Sequence, residues 1–305
     1  MIRMTLVPSR LTLILMTLLG PGSSHTDARG QANACGSKIH PIEVNQTTLH
    51  YFECGKGEPL IFVHGALGDL HTFQRQVQTF ATSFRVIAYS RRFFPPNAPP
   101  RETDVDPLGN HVADLRALIT QLKASPAHLV GSSYGAYVAL ALAMDHPELV
   151  RSLVLGEPPV WPLLPPKPVG EGSQSPPLRK VFESSLEAGM RAFMDGMCGT
   201  GCFDKLPQAR RMELVEKQGP ELRAHFMDPS AAYPPLDCGN LGKLKRPTLL
   251  VTGERSPEVL LVITAELERC LEGESKVMVP EAGHGMHADN PTFYNQTVMA
   301  FLQRR

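Results

Sequence analysis

The sequence has no surplus of charge. Its 30 Lys and Arg stand against 30 Asp and Glu, a formal net charge of zero. Without a basic excess there is no electrostatic footprint for nucleic acid or an anionic membrane surface, and neither is expected as a partner. The chain also has little that spans a bilayer: the early apolar run from Leu11 to Leu19 is too short. No internal repeat is visible. No His lies at ligand spacing from the cysteines of CGTGC (198–202), and no glycine loop of the phosphate-cradling kind occurs. No metal and no cofactor is therefore implied. Proline, by contrast, is plentiful, with 28 residues. Its clusters at 95–100, 158–168 and 229–235 point to long, shaped loops.

The N-terminal stretch reads as a segment apart from the fold. In MIRMTLVPSRLTLILMTLLGPGSS, Arg3 and Arg10 precede or open the apolar run, and Gly20, Gly22, Ser23 and Ser24 follow it. This is the pattern of a secretory signal. Residues 1–30 are accordingly set aside as an export segment, and the protein is expected to be secreted or periplasmic. Six cysteines remain, and an exported protein can oxidise them. IHPIEV and TLHYFEC read as a hairpin turning near Asn45 and Gln46, which brings Cys35 toward Cys54. Cys198 and Cys202 either close on each other or link to Cys238. The oligomeric state is left open.

At 305 residues with 42% hydrophobic residues, the chain is long enough for one large α/β domain or two smaller ones. PLIFVHG (59–65) and FRVIAYS (84–90) are continuous apolar runs, as strands buried on both faces of a parallel sheet are. They alternate with helical spacing, for example Val112, Leu115, Leu118, Ile119 and Leu122 on one face of 107–124. Further strands are AHLV (127–130), VRSLVLGE (150–157), TLLVTGE (248–254) and SKVMVPE (275–281), each followed by a turn and then, in most cases, a helical pattern. Alternating β and α implies a doubly wound, mostly parallel sheet. Residues 158–240 break the rhythm with Pro, Gly and two long helical stretches. The expected organisation is a core of 31–157 and 241–305 carrying an inserted helical cap of 158–240.

Three motifs carry chemistry. GSSYG (131–135) lies between a strand and a helix, so Gly131 and Gly135 permit a sharp turn that lifts the Ser133 hydroxyl above the sheet edge at the positive end of a helix. VHGALGD (63–69) follows another strand. Its Ala66 N–H, paired with the N–H of Tyr134, is the expected donor set for a developing oxyanion. His64 is read as ordering that loop through a backbone hydrogen bond. PEAGHGMH (280–287) follows the last strand, and His284 between two glycines is the expected general base, preferred over His287.

With these motifs in this order, the chain resembles the α/β-hydrolases of the α/β-hydrolase-1 type, over residues 39–157 and 244–304. The resemblance implies the α/β-hydrolase fold and a serine hydrolase. Haloalkane dehalogenases and epoxide hydrolases share the pattern but place Asp at the nucleophile, where this chain has Ser133. The family's usual acid position, just before the proline of TGERSPEV, is Ser256, which cannot carry the charge that stabilises an imidazolium. Glu157, at the end of the preceding core strand, is the preferred acid. The zearalenone-lactonase group and certain dehalogenases resemble this arrangement. Glu254 is the second choice, and another residue or no acid at all the third. Arg91 and Arg92 occupy the segment where relatives carry an Asp-x-Arg-Gly-like turn. Either pairs with a core carboxylate, or, as preferred, they are solvated or structural.

The expected activity is hydrolysis of a carboxylic ester or lactone of a largely apolar small molecule through an acyl-enzyme. The same triad also serves C–C hydrolases and cofactor-free haloperoxidases. Ligand binding without catalysis is the alternative from a different class.

Overall fold

The computed structural model describes residues 35, 38–164, 178–228, 236–271 and 275–305. The proposed export segment lies outside the described residues, and so does part of the stretch between the two halves of the core. One eight-stranded sheet runs in the order β1-β2-β4-β3-β5-β6-β7-β8. The strands are β1 His40–Val44, β2 Thr47–Cys54, β3 Glu58–Val63, β4 Phe84–Tyr89, β5 Ala127–Ser132, β6 Val150–Gly156, β7 Thr248–Gly253 and β8 Ser275–Val279. β1 and β2 pair antiparallel, as do β2 and β4, and every pairing from β4 through β8 is parallel. The doubly wound, mostly parallel sheet matches the sequence reading. The hairpin turns at Asn45 and Gln46, both at positive φ, which suits the twist of a two-residue hairpin.

Helices cover both faces. They are α1 Gln74–Phe80, α2 Leu108–Gln121, α3 Tyr134–Asp145, α4 Leu178–Ser184, α5 Leu186–Cys198, α6 Gln208–Met227, α7 Cys238–Leu241, α8 Glu258–Cys270, α9 Met286–Asp289 and α10 Pro291–Leu302. The sheet divides the core in two. Alternate strand residues such as Ile61, Leu129 and Leu153 face α2, α3 and α8, whereas Phe62, Val130 and Val154 face α1 and α10. This is the period-2 alternation of a strand buried on both sides. The alanines of α3 let it lie close to the sheet, and Ala136, Ala139, Ala141 and Ala143 are all fully buried.

The stretch between β6 and β7 is helical in its described parts, and α4, α5 and α6 enclose a small core of Phe182, Met190, Phe203, Leu214 and Leu222. The sequence pattern over 178–197 suggested one helix; the structure has two. Ser185 caps the second, its hydroxyl accepting the Ala188 N–H at 3.3 Å. Serine competes for backbone donors in this way, and that favours a helix start over a helix interior. Cys35–Cys54, Cys198–Cys202 and Cys238–Cys270 are disulfide-bonded. The last of these pairs had no signal in the sequence: it ties α7 to the end of α8. No helix of the described residues is long and apolar enough to cross a membrane.

Candidate active site

The C-terminal ends of β3, β5, β6 and β7 and the loop after β8 meet at one edge of the sheet. Ser133 follows β5 with φ 52 and ψ −126, a backbone region that non-glycine residues occupy only when the surroundings enforce it. Its N–H is held by the Gly156 carbonyl of β6 at 2.7 Å. Close packing of the turn is obligatory: a Cβ on Gly135 would stand 2.1 Å from the Val63 carbonyl oxygen. Among the described residues the Ser133 hydroxyl has no hydrogen-bond partner, and it is half-buried.

Glu157 follows β6, also at positive φ (47), with a side chain that is 0% exposed. Its Oε2 lies 2.6 Å from His284 Nδ1. Its Oε1 accepts the Thr252 hydroxyl at 2.6 Å and the Gly253 N–H at 2.9 Å. Burial pushes this carboxyl up. The His284 ring and the Ser256 and Thr252 hydroxyls facing it pull it further down, so its net shift is below the usual carboxylate value. His284 comes from the loop after β8, and the Glu157 contact on Nδ1 leaves Nε2 as its other ring nitrogen.

Glu254 is not part of this arrangement. It is exposed, and its Oε2 accepts the Glu281 N–H at 2.7 Å, tying two loops together. Ser256 is buried near the Glu157 carboxylate, where no charge of its own is available. His287 is buried against Phe73 and Tyr294, and burial, with His284 beside it, lowers it to about 4. A neutral imidazole so enclosed is packing.

Ala66 lies in the loop after β3, and Tyr134 follows Ser133 as the first residue of α3. A Cβ on Gly65 would come 3.0 Å from Ser133 Cβ, so this loop abuts the serine. His64 is spoken for on both nitrogens: Nδ1 donates to the Gly65 carbonyl at 2.8 Å, and Nε2 accepts the Arg91 N–H at 2.8 Å. Burial and then the Arg91 charge hold it well below the ordinary histidine value. Ala66 and Leu67 also pack against the core enclosed by α4–α6. Trp161, at the start of the stretch between β6 and β7, is half-exposed (48%).

One group of residues has no counterpart in the sequence reading. Asp106, His111 and Glu221 are buried, and one ligand atom from each lies within 4.8 Å of the others. That spacing can hold a metal ion. However, Arg91 Nη1 is 3.2 Å from His111 Nε2 and 3.3 Å from Nδ1, and Asp106 Oδ2 takes the same Nε2 at 2.6 Å. The cation of this cluster is already the guanidinium. Arg92, by contrast, pairs with buried Asp114 at 2.7 Å. Spacing gives no warning of this cluster, because Glu221 arrives from α6, over a hundred residues away in the chain.

A second Ser–His–carboxylate line shows what geometry alone leaves out. Ser152 Oγ is 2.7 Å from His128 Nδ1, and Glu58 Oε2 is 3.3 Å from His128 Nε2. Ser152 and His128 are 0% exposed, at the opposite, N-terminal ends of β6 and β5. No substrate reaches that serine.

The chain matches a family model described as alpha/beta hydrolase fold over residues 58–185. It is 29% identical over 123 residues to the Uncharacterized hydrolase YraK of Bacillus subtilis (strain 168), a stretch covering 40% of this chain and 45% of that protein, so it spans less than half of that relative. It is 25% identical over 301 residues to Serine hydrolase BPHL of Homo sapiens, covering 95% of each. Its structure is similar to that of a thermophilic esterase from Thermogutta terrifontis (malate bound), with a TM-score of 0.71, 22% identity, and 88% of this chain and 99% of that one covered. This last likeness is one of fold.

Proposed function

Because the chain is a member of the α/β-hydrolase superfamily, we propose that it is a serine hydrolase cleaving a carboxylic ester or lactone of a largely apolar substrate. Ser133 Oγ attacks the carbonyl carbon while its proton passes to His284 Nε2. The imidazolium that forms is balanced by Glu157, and the oxyanion is met by the N–H groups of Ala66 and Tyr134. The proton then goes to the leaving alcohol, and water attacks the acyl-enzyme with His284 as base. The relative named as a serine hydrolase points the same way. The apolar residues of α4–α6 packed against Ala66 and Leu67 favour an apolar acyl or alcohol group. An exported location is part of the same proposal, supported by three disulfides among the described residues.

The observation that carries the reading is the 2.6 Å contact between Glu157 and His284 at the edge where Ser133 is raised. Hydrolysis of a short-chain aryl ester by the unmodified protein and by Glu157→Gln tests it. The substitution removes the charge that stabilises the imidazolium, and kcat should fall by about 10²-fold or more with the fold intact. An active enzyme indifferent to the change would remove Glu157 from the mechanism.

A further inference from the structure

Arg91 is the largest fully buried side chain of the described residues, 1% exposed, two residues past the end of β4 with Ser90 between. A guanidinium does not leave water without reason. Here Nε donates to the His64 carbonyl at 2.9 Å and Nη2 to the Gly65 carbonyl at 3.3 Å. Its own backbone N–H holds His64 Nε2, and His64 Nδ1 donates to the same Gly65 carbonyl at 2.8 Å. On its other side the guanidinium lies 4.9 Å from the centre of the Tyr134 ring and 4.4 Å from that of Phe94, within cation–π range.

The Gly65 carbonyl and the Ala66 N–H belong to one planar, trans peptide unit, so they point in opposite directions. Two donors fix the carbonyl toward Arg91 and His64. The Ala66 N–H is thereby turned away from them, in a loop that abuts Ser133. The same side chain stacks on Tyr134, whose N–H is the other donor.

We propose that Arg91 is a positioning residue for the oxyanion hole: its fork orients the Ala66 N–H through the Gly65 carbonyl and braces Tyr134 through its ring. The assignment rests on the serine-hydrolase reading. The buried Asp106, hydrogen-bonded to His111, supplies counter-charge to the guanidinium. The buried Glu221 of α6 closes the cluster beside it, so the helical insertion helps to cover this cation.

The test compares Arg91→Lys with Arg92→Lys, using aryl-ester kinetics, the rate of labelling by a fluorophosphonate, and thermal melts. Lys keeps the charge of Arg91 and loses the planar fork. Arg91→Lys should lower kcat and the labelling rate by about 30- to 100-fold with KM within about threefold, since misplacing a preorganised donor affects the transition state selectively. Arg92→Lys breaks a fork to Asp114 away from the loop and should change kcat by less than about twofold. If Arg91→Lys does not fold, His64→Gln, which removes the other donor to the Gly65 carbonyl, should lower kcat by about tenfold at unchanged KM. Wild-type labelling rates in folded Arg91→Lys, or parallel losses in both arginine variants that track melting temperature, would overturn the assignment alone. A folded wild-type protein that neither labels nor turns over ester would overturn the serine-hydrolase reading and this assignment with it.

Discussion

Glu157 is held by three hydrogen bonds and a strained backbone, and each contact serves its charge. The Thr252 hydroxyl and the Gly253 N–H fill Oε1, leaving Oε2 to His284. Hydrogen bonds to the ionised form lower a carboxyl pKa, here in spite of complete burial. The linkage has a definite sign. The stability contributed by the ionised group is present above the ordinary value of 4.5 and is lost as pH falls through the lower folded value. Thr252→Val keeps the shape and deletes a donor to a charged acceptor, which costs about 1.5–3 kcal/mol. Acid unfolding of this variant should begin at higher pH than in the parent, as followed by circular dichroism. An unshifted acid transition would mean that Thr252 contributes packing only.

At the level of the element, α6 carries the least expected feature. It sets Glu221 against Asp106, His111 and Arg91. Burial raises Glu221 well above the usual carboxylate range; Arg91 opposes this and the Asp106 charge adds to it. The sign is opposite to that of Glu157. Above pH 4.5 the unfolded chain releases this proton while the folded one retains it, so stability declines as pH rises toward the raised folded value. Glu221→Gln removes that slope. Compared with the parent, its melting temperature should improve more at pH 8 than at pH 5. An equal difference at both values would place an ionised Glu221 in the folded state. The facing His225 is lowered to about 4, chiefly by burial, so it stays neutral over the same range and leaves this difference untouched.

For the whole molecule, the disulfides differ in what they enclose. Cys238–Cys270 closes a separation of 32 residues and Cys198–Cys202 one of 4. In the chain-entropy description the longer loop constrains the unfolded state more, by roughly 4 kcal/mol against roughly 2. Replacing Cys238 and Cys270 together by Ser should therefore lower the unfolding free energy more than replacing Cys198 and Cys202, as measured by urea titration. The reverse order would show strain or residual unfolded structure to dominate.

The alternation of apolar runs with helical spacing is enough to specify the sheet, because residues buried on both faces leave a continuous local signal: PLIFV and FRVIAY lie in β3 and β4. GSSYG likewise marks its own turn, since its glycines are required by contacts within and beside the turn. Ser256 showed that the usual acid position is empty of charge, and the sequence ranked Glu157 ahead of Glu254 and of another or no acid from chain order alone. The contacts themselves came only with tertiary structure, as β6 lies between β5 and β7 and sets Glu157 against His284, while Glu254 accepts the Glu281 N–H. The Arg91 cluster was likewise decided only on folding. Its members come from β4's exit, the approach to α2 and the distant α6, and a charge is recognised as buried only when every element that covers it is in place.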